Sequence, residues 1–512
     1  GGNGGSGAFE ISAALGQLGA NNVALAWGRV AGNGGVAGDI NINTSGSIST
    51  EGKDSDAILA LSAGGKGGVA QRAIAGTIGA QSSAKNTSVS IAFAGGGGAG
   101  AASGNIAVIN KANIYTKSSG ARDIVALSEG GAGGNGGTSL AAAANLAGIN
   151  VGQSQIGFLT ASGSGGAGGD GLGVDLENEG YIETRGDNSP SIVALSSGGA
   201  GGNAGDASVA HLLFKIESTD KDGDSSKPDK DNGSPKLGKD GDSSKPDKDG
   251  DGSKSDKDGE ESSGKEKKSL SAKTYQFLVG GAGGKGGNAQ TVKITNTGVV
   301  QTFGKGSNAI NAQSVGGNGG SGGNTTLLYS ASDIPVDEIK KFNDKDASNL
   351  IFGVAGTGGA GGYAGDVSVT NLGEIFTSGD ESVGVTARSV GGDGGNSGNG
   401  GLKDESLGIG GGALTSIVRS VGDAFPKAQK ALSPLFDWAH AVSAGGNAGK
   451  VTVDNKSDSE TNFVFIVTKG NNPGAIVAAA TGGNGGMGGN GAGNLALVGV
   501  RRTPDPRAPI GA

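Results

Sequence analysis

The chain has 512 residues, a formal net charge of −8, 110 glycines, two histidines and no cysteine. The lack of cysteine excludes a disulfide framework, and so modest a charge over this length excludes a general nucleic-acid role. Aromatic residues are only 4%, so burial must come from Val, Ile, Leu and Ala. The prior of several compact domains lapses if the chain is periodic, because repeat proteins grow by adding units.

The periodicity is visible from the start. In residues 1–35, Ala8–Leu15 and Val23–Trp27 flank the polar Gly19-Ala20-Asn21-Asn22, which predicts a strand, a tip and a returning strand. The glycine block Gly34-Gly35-Val36-Ala37-Gly38-Asp39 then leads into the alternating Ile40-Asn41-Ile42-Asn43. Ser45-Gly46 and Glu51-Gly52 supply turns, and Ile58-Leu59-Ala60-Leu61-Ser62 closes the half-unit. A second half pairs Val69–Ala75 with Val89–Phe93 around a tip near Ser82–Asn86. Residues 104–168 repeat this plan, with Leu140–Leu146 and Ile156–Leu159 as the apolar pair.

The closing anchor returns at Ile124–Ser128, Ile192–Ser196, Ile310–Ser314, Val385–Ser389 and Ile476–Ala480, and its first three serines lie 66 and 68 residues apart. Later block-and-strand copies begin at Gly361-Gly362-Tyr363-Ala364-Gly365-Asp366 and Gly445-Gly446-Asn447-Ala448-Gly449-Lys450. Glycine blocks fall at half the anchor spacing, two per unit. The implied units are 36–103, 104–169, 170–287, 288–362 and 363–446, with partial units 1–35 and 447–498 and a non-repeat tail 499–512. A recurring period of this kind predicts an all-β, repetitive β-solenoid of the parallel β-helix type with glycine-rich blocks and loop insertions. The blocks are read as tight turns or as polyproline-II-like rods, and the sequence leaves both open. The missing initiator Met, signal and terminal caps predict a fragment of a longer protein.

Insertions interrupt the second halves. A Lys/Asp/Gly/Ser tract over 217–272 contains Lys221–Asp231 repeated unchanged as Lys239–Asp249; apolar-poor and mixed in charge, it is expected to be disordered. A shorter insert between Leu327-Leu328-Tyr329 and Leu350-Ile351-Phe352 carries a predicted helix over Val336–Phe342. A third follows Gly401, with helical spacing over Leu414–Val421 inside 412–442 and a break at Pro426. Its apolar residues, Leu414, Ile417, Val418, Val421, Phe425, Leu432, Leu435, Phe436 and Trp438, suit a membrane-surface or partner helix. Packing back onto the solenoid is preferred, because the face would otherwise be exposed. All three are placed at or near the tip, hence on one face.

The sharpest site-like pattern is a calcium-loop match by Asp247, Asp249, Asp251, Gly252, Ser255 and Asp258, at positions 1, 3, 5, 6, 9 and 12 of that motif. Closely spaced carboxylates with a turn glycine can wrap a hard cation. Position 12 is Asp rather than a bidentate Glu, however, and no amphipathic helices flank the loop. A solvated tract is therefore the preferred reading, with calcium as the one metal to test and no other cofactor expected. The blocks lack the nonapeptide spacing of calcium β-rolls. Gly283-Gly284-Lys285-Gly286-Gly287 lacks the Lys-Ser/Thr ending of a phosphate loop. His211 lies in an apolar strand and His440 follows Asp437-Trp438-Ala439; each is read as packed or exposed rather than as a catalytic base.

Thr295-Asn296-Thr297-Gly298-Val299 and Ser307–Gly320, with their equivalents from Thr370-Asn371-Leu372-Gly373 to Gly391-Gly392, resemble the glycine-rich repeats of large bacterial autotransporter-type adhesins. The resemblance covers nearly all the chain outside the inserts. It implies a secreted, surface-displayed β-solenoid passenger at the bacterial cell surface or outer membrane. The block Gly130–Gly137 also looks like mycobacterial glycine-rich PE-PGRS repeats, although the long strands between blocks depart from that pattern. The expectation is a non-enzymatic structural or adhesive protein. Its expected partners are a host or neighbouring-cell surface, matrix or glycan, with self-association as a further option. The alternatives are a polysaccharide-acting β-helix enzyme and a calcium-responsive module.

Overall fold

The computed structural model describes residues 2–5, 10–16, 21–81, 86–147, 154–215, 272–332, 349–401, 407–409, 443–457, 464–489 and 491–492. Every regular element among them is a strand. The strands stack into five parallel sheets, one of seven strands and four of six. One full coil shows the path: Ala73–Gln81 (sheet I), Asn86–Phe93 (sheet II), Ile106–Asn110 (sheet III), Asn113–Thr116 (sheet IV) and Ile124–Glu129 (sheet V). The expected parallel β-solenoid is observed.

Register keeps like residues in line. Sheet III aligns Ile40, Ile106, Val174, Val292, Val367 and Val451. Sheet IV aligns Ile48, Ile114, Ile182, Val300, Ile375 and Ile466. Sheet V aligns Ile58, Ile124, Ile192, Ile310, Val385 and Ile476, which are the sequence anchors. Sheets III–V enclose one core of these Ile and Val side chains, Ile476 excepted, and each fully buried one contributes roughly 1.5–3 kcal/mol. Sheets I and II face each other across a second core rich in small residues, including Ala24, Ala26, Ala73, Ala75, Ala92, Ala141 and Ala143, with Phe158 and Leu278 filling it.

Two side-chain ladders fix the coils to one another. At the ends of the four inner sheet III strands a buried Asn donates from Nδ2 to the next Oδ1. The steps are Asn110 to Asn178, Asn178 to Asn296 and Asn296 to Asn371 at 2.8 Å, and Asn371 to Asn455 at 2.7 Å. The same Nδ2 groups also donate to carbonyls two residues on, such as Gly180 O and Gly298 O at 3.1 Å, so a buried amide that would be costly alone is satisfied. The anchor serines link sheet V to the glycine blocks. Ser314 Oγ donates to Gln290 O (2.9 Å) and accepts the Gly365 N–H (2.8 Å), while Ser389 repeats this with Gly365 O and the Gly449 N–H.

Between the two cores the glycine blocks form a waist of two layers, one following sheet V and one following sheet II. They are rods, not turns. Hydrogen bonds leave them at every third residue: Gly28, Ala31 and Gly34 donate to Phe93, Gly96 and Ala99 of the next coil. Gly163, Gly166 and Gly169 donate across the layers to Gly137, Gly134 and Gly131. Three residues per turn with outward bonding is polyproline-II geometry. At Gly166 a Cβ would stand 1.9 Å from Gly98 O, and at Gly202 2.0 Å from Gly134 O, so only glycine fits. The third residue of each turn faces outward, and an Asn or Asp of the preceding coil accepts its N–H. Thus Asn203 bonds Asn135 Oδ1 (2.9 Å), Ser321 bonds Asn203 Oδ1 (2.8 Å) and Asp393 bonds Asn318 Oδ1 (2.8 Å). The phosphate-loop lookalike Gly283–Gly287 is one such rod.

The first two inserts leave where the sequence places them, between Ala207–Lys215 and Ala272–Val279 and between Thr325–Ser332 and Asn349–Val354. The third departs from expectation. After strand Gly400–Gly401, Leu407–Ile409 already pairs with Phe352–Val354 in sheet II, and the waist resumes at Ser443. Most of this insert therefore enters between sheet II and the waist rather than at the tip. A sheet II strand of only three residues in a glycine-rich setting gives little sequence signal. The helices predicted over Val336–Phe342 and Leu414–Val421 lie outside the described residues.

Candidate contact surface

Sheet IV has short strands in which Ile or Val and then Thr point inward, leaving the alternate positions outside. Across the coils the outer row reads Ser49, Tyr115, Glu183, Gln301, Phe376 and Val467. Beside it stand Tyr181 and, just past the strand ends, Glu51, Lys117, Arg185, Phe303 and Lys469. In a chain so poor in aromatics, four consecutive coils each place one ring on this face. Tyr115 and Tyr181 lie 5.7 Å apart between centroids, and Phe303 and Phe376 lie 6.1 Å apart. The Arg185 guanidinium stands 5.9 Å over the Phe303 ring, and Lys469 Nζ 5.2 Å over Phe376.

An open cleft of about 360 Å³ is lined by Ser49, Tyr115, Thr116, Lys117, Glu183 and Arg185. Glu183 organises it, accepting the Tyr181 hydroxyl at 2.6 Å and the Arg185 Nε–H. Burial works to raise the Glu183 carboxyl, but the bonds from Tyr181 and Arg185 outweigh it and hold the group below the usual carboxylate range. Burial, with Glu183 alongside, pushes the Tyr181 phenol up, so it remains a donor. Its one proton goes to Glu183. The Gln301 amide 3.1 Å from the phenol oxygen is then best satisfied by presenting its NH2 to that oxygen. Lys117 pairs with Glu51 one coil away, so both cations of the cleft have carboxylate partners.

Two titratable groups are sealed inside the lobes. Asp123, at the corner between sheets IV and V, is fully buried where the neighbouring coils carry Ala57 and Ser191. Its Oδ2 accepts the Ser191 hydroxyl at 2.5 Å, its Oδ1 has no hydrogen-bond partner, and burial pushes its pKa up to about 7. His211, read from sequence as packed or exposed, is packed: it is buried 5.9 Å from the Phe158 ring, and burial pushes its pKa down to about 4.

The calcium-motif residues Asp247, Asp249, Asp251, Gly252, Ser255 and Asp258 lie outside the described residues, as does His440. Among the described residues no group of three or more metal-ligating side chains comes together. The sheet IV face escaped the sequence reading because its residues meet only through registers of 66 to 118 positions, on strands too short to show alternation.

No protein-family model, curated protein or solved structure matches this chain.

Proposed function

We propose that this chain is part of a non-enzymatic, surface-displayed repeat protein of the autotransporter-adhesin kind, a stiff body that holds variable segments against another cell, a matrix or a glycan. The supporting observation is that the scaffold stays in register while the coil length changes. Along the row that starts at Thr44 and continues through the Asn residues, the steps are 66, 68, 118, 75 and 84 residues, yet its hydrogen bonds stay between 2.7 and 2.8 Å. Most of the extra length lies in the part of each coil beyond sheet I, and in the last coil the step also widens from 84 residues at the end of sheet III to 91 at sheet IV. A frame that is held constant while one region of every unit is free to vary suits display. The non-enzymatic reading is supported by the cleft on sheet IV, which offers one carboxylate, Glu183, held ionised, where glycoside hydrolysis uses two.

The test replaces 217–271 with the tip of a sister coil, Ser82-Ser83-Ala84-Lys85, and compares binding to cells and to a matrix panel. Loss of binding with an unchanged far-UV spectrum is the expected result. Binding that survives at full strength moves the contact to the repeat faces. No binding by either protein would leave a purely structural role.

A further inference from the structure

We infer that the outer face of sheet IV binds an uncharged, linear polysaccharide laid along the stacking axis, an assignment that rests on the adhesive reading and names one ligand for it. Sugars are recognised by aromatic rings that pack against the apolar faces of pyranoses and by planar polar groups that bond their hydroxyls. This face carries both. Tyr115, Tyr181, Phe303 and Phe376 come from four consecutive coils; Tyr115 and Phe376 share one strand register with Glu183 and Gln301 between them, and Tyr181 and Phe303 flank that row on either side. Successive strands are about 4.8 Å apart, close to the length of one pyranose residue, so a repeating ligand and a repeating protein share a period. The Glu183 carboxylate is ionised and can accept from sugar hydroxyls, and the bonds from Tyr181 and Arg185 fix its direction. Within the cleft, charge favours a neutral chain: Lys117 is paired with Glu51 and Arg185 with Glu183, while Lys469 lies farther along the face over the Phe376 ring. The open cleft beside Tyr115, of about 360 Å³, has the volume to receive part of one sugar. Cross-strand aromatic pairing alone would stabilise the sheet, but it does not require a carboxylate, an amide and an open cleft in the same rows.

The experiment is affinity electrophoresis of the whole chain through gels containing hydroxyethyl cellulose, a soluble mixed-linkage β-glucan or α-mannan, with polygalacturonate and heparin gels as charged comparators. Retardation by a neutral gel, insensitive to added salt, is expected. Tyr115→Ala and Phe376→Ala should each weaken it at least tenfold, Tyr115→Phe should retain it, and Tyr363→Ala, on an exposed residue of the waist, should leave it unchanged. Far-UV spectra confirm that each variant is folded. Migration unaffected by every neutral gel overturns the inference, as does retardation of Tyr115→Ala and Phe376→Ala equal to that of the unaltered chain, or retardation seen only on anionic gels and abolished by salt. Cell binding that persists in Tyr115→Ala and Phe376→Ala, with no neutral-gel retardation, would reject this site while leaving the adhesive reading intact.

Discussion

Replacing Gly166 by Ala tests the waist most directly. The glycine lies in the row Gly98, Gly134, Gly166, Gly202, where each N–H donates to the preceding carbonyl at 2.8 Å. Its added Cβ would stand 1.9 Å from Gly98 O and 2.5 Å from Gly98 C. A methyl carbon and a carbonyl oxygen normally keep about 3.3 Å or more apart, so the two coils must separate locally by over an ångström. In the native chain a Cα hydrogen points at that oxygen, so a weak Cα–H···O contact is lost as well. The bonds Gly166 makes to Gly134 and accepts from Gly202 cannot both survive such a shift. Losing them in a buried layer costs about 1–3 kcal/mol per unsatisfied group, giving about 3–5 kcal/mol in all. Gly96→Ala is the matched control, because its Cβ meets only Ser164, at 3.4 Å from Oγ and 3.6 Å from O, which is ordinary contact; it should be neutral or gain about 0.4–1 kcal/mol through the unfolded chain. Urea unfolding followed by far-UV circular dichroism reads the difference, with exchange of the waist amides locating it. Solenoids need not unfold in one step, so the comparison is of the transition reporting these coils. Midpoints for Gly166→Ala and Gly96→Ala within 0.5 kcal/mol of each other would refute the close-packed waist.

The remaining expectations concern the ladders and the buried ionisable groups. Asn296→Ala removes the acceptor for Asn178 Nδ2 and the donor to Asn371 Oδ1, and should cost about 3 kcal/mol in urea unfolding; an unchanged midpoint would show that the ladder is incidental. Asp123 has its folded pKa raised to about 7, so its favourable state is the protonated one. Its contribution is fully present below the unfolded value of about 3.9 and is lost as pH rises through about 7. Asp123→Asn, which can still accept from Ser191, should therefore stabilise the protein by up to about 4 kcal/mol at pH 9 and by little at pH 4; an equal gain at both would exclude titration as the cause. His211 has the opposite sign, being buried neutral with a folded pKa near 4. Stability present above about 6.5 should fall as pH drops through about 4, and His211→Phe should flatten that acid limb in thermal melts across pH 3–7.

Much of the stack is legible in the sequence because it repeats. Anchors such as Ile124–Ser128 and Ile192–Ser196 fall on sheet V in perfect register, since the same apolar run closing on Ser recurs there at a regular spacing. The glycine blocks are equally plain, but their conformation is not. A turn and a three-fold rod demand the same glycine, and only the neighbours at 1.9–2.1 Å decide between them. A usable signal was nonetheless present. Asn135, Asn203 and Asn318 recur at the non-glycine position of the blocks, where each accepts an N–H from the next coil. The buried row Asn110, Asn178, Asn296 and Asn371 likewise closes each sheet III strand two residues before a carbonyl it bonds. The sheet IV face stayed hidden for a different reason: no local pattern joins Tyr115 to Glu183 and Gln301. Their neighbourhood is a product of coil length, and coil length varies with the inserts.

Stacking so many residues into so little height gives the waist a mechanical meaning. The described stack advances about 4.8 Å per coil, whereas the 66 residues of a short coil stretch to about 220 Å once pulled straight. Tension on a chain end would therefore not stretch the rod as a spring. It would strip coils from that end one at a time, opening each row of the waist in sequence. Every step would release a long slack segment at low force, while the coils behind it kept their full set of bonds. Such a body dissipates a sudden tug and shortens again by rewinding, with its longest releases at the coils that carry inserts.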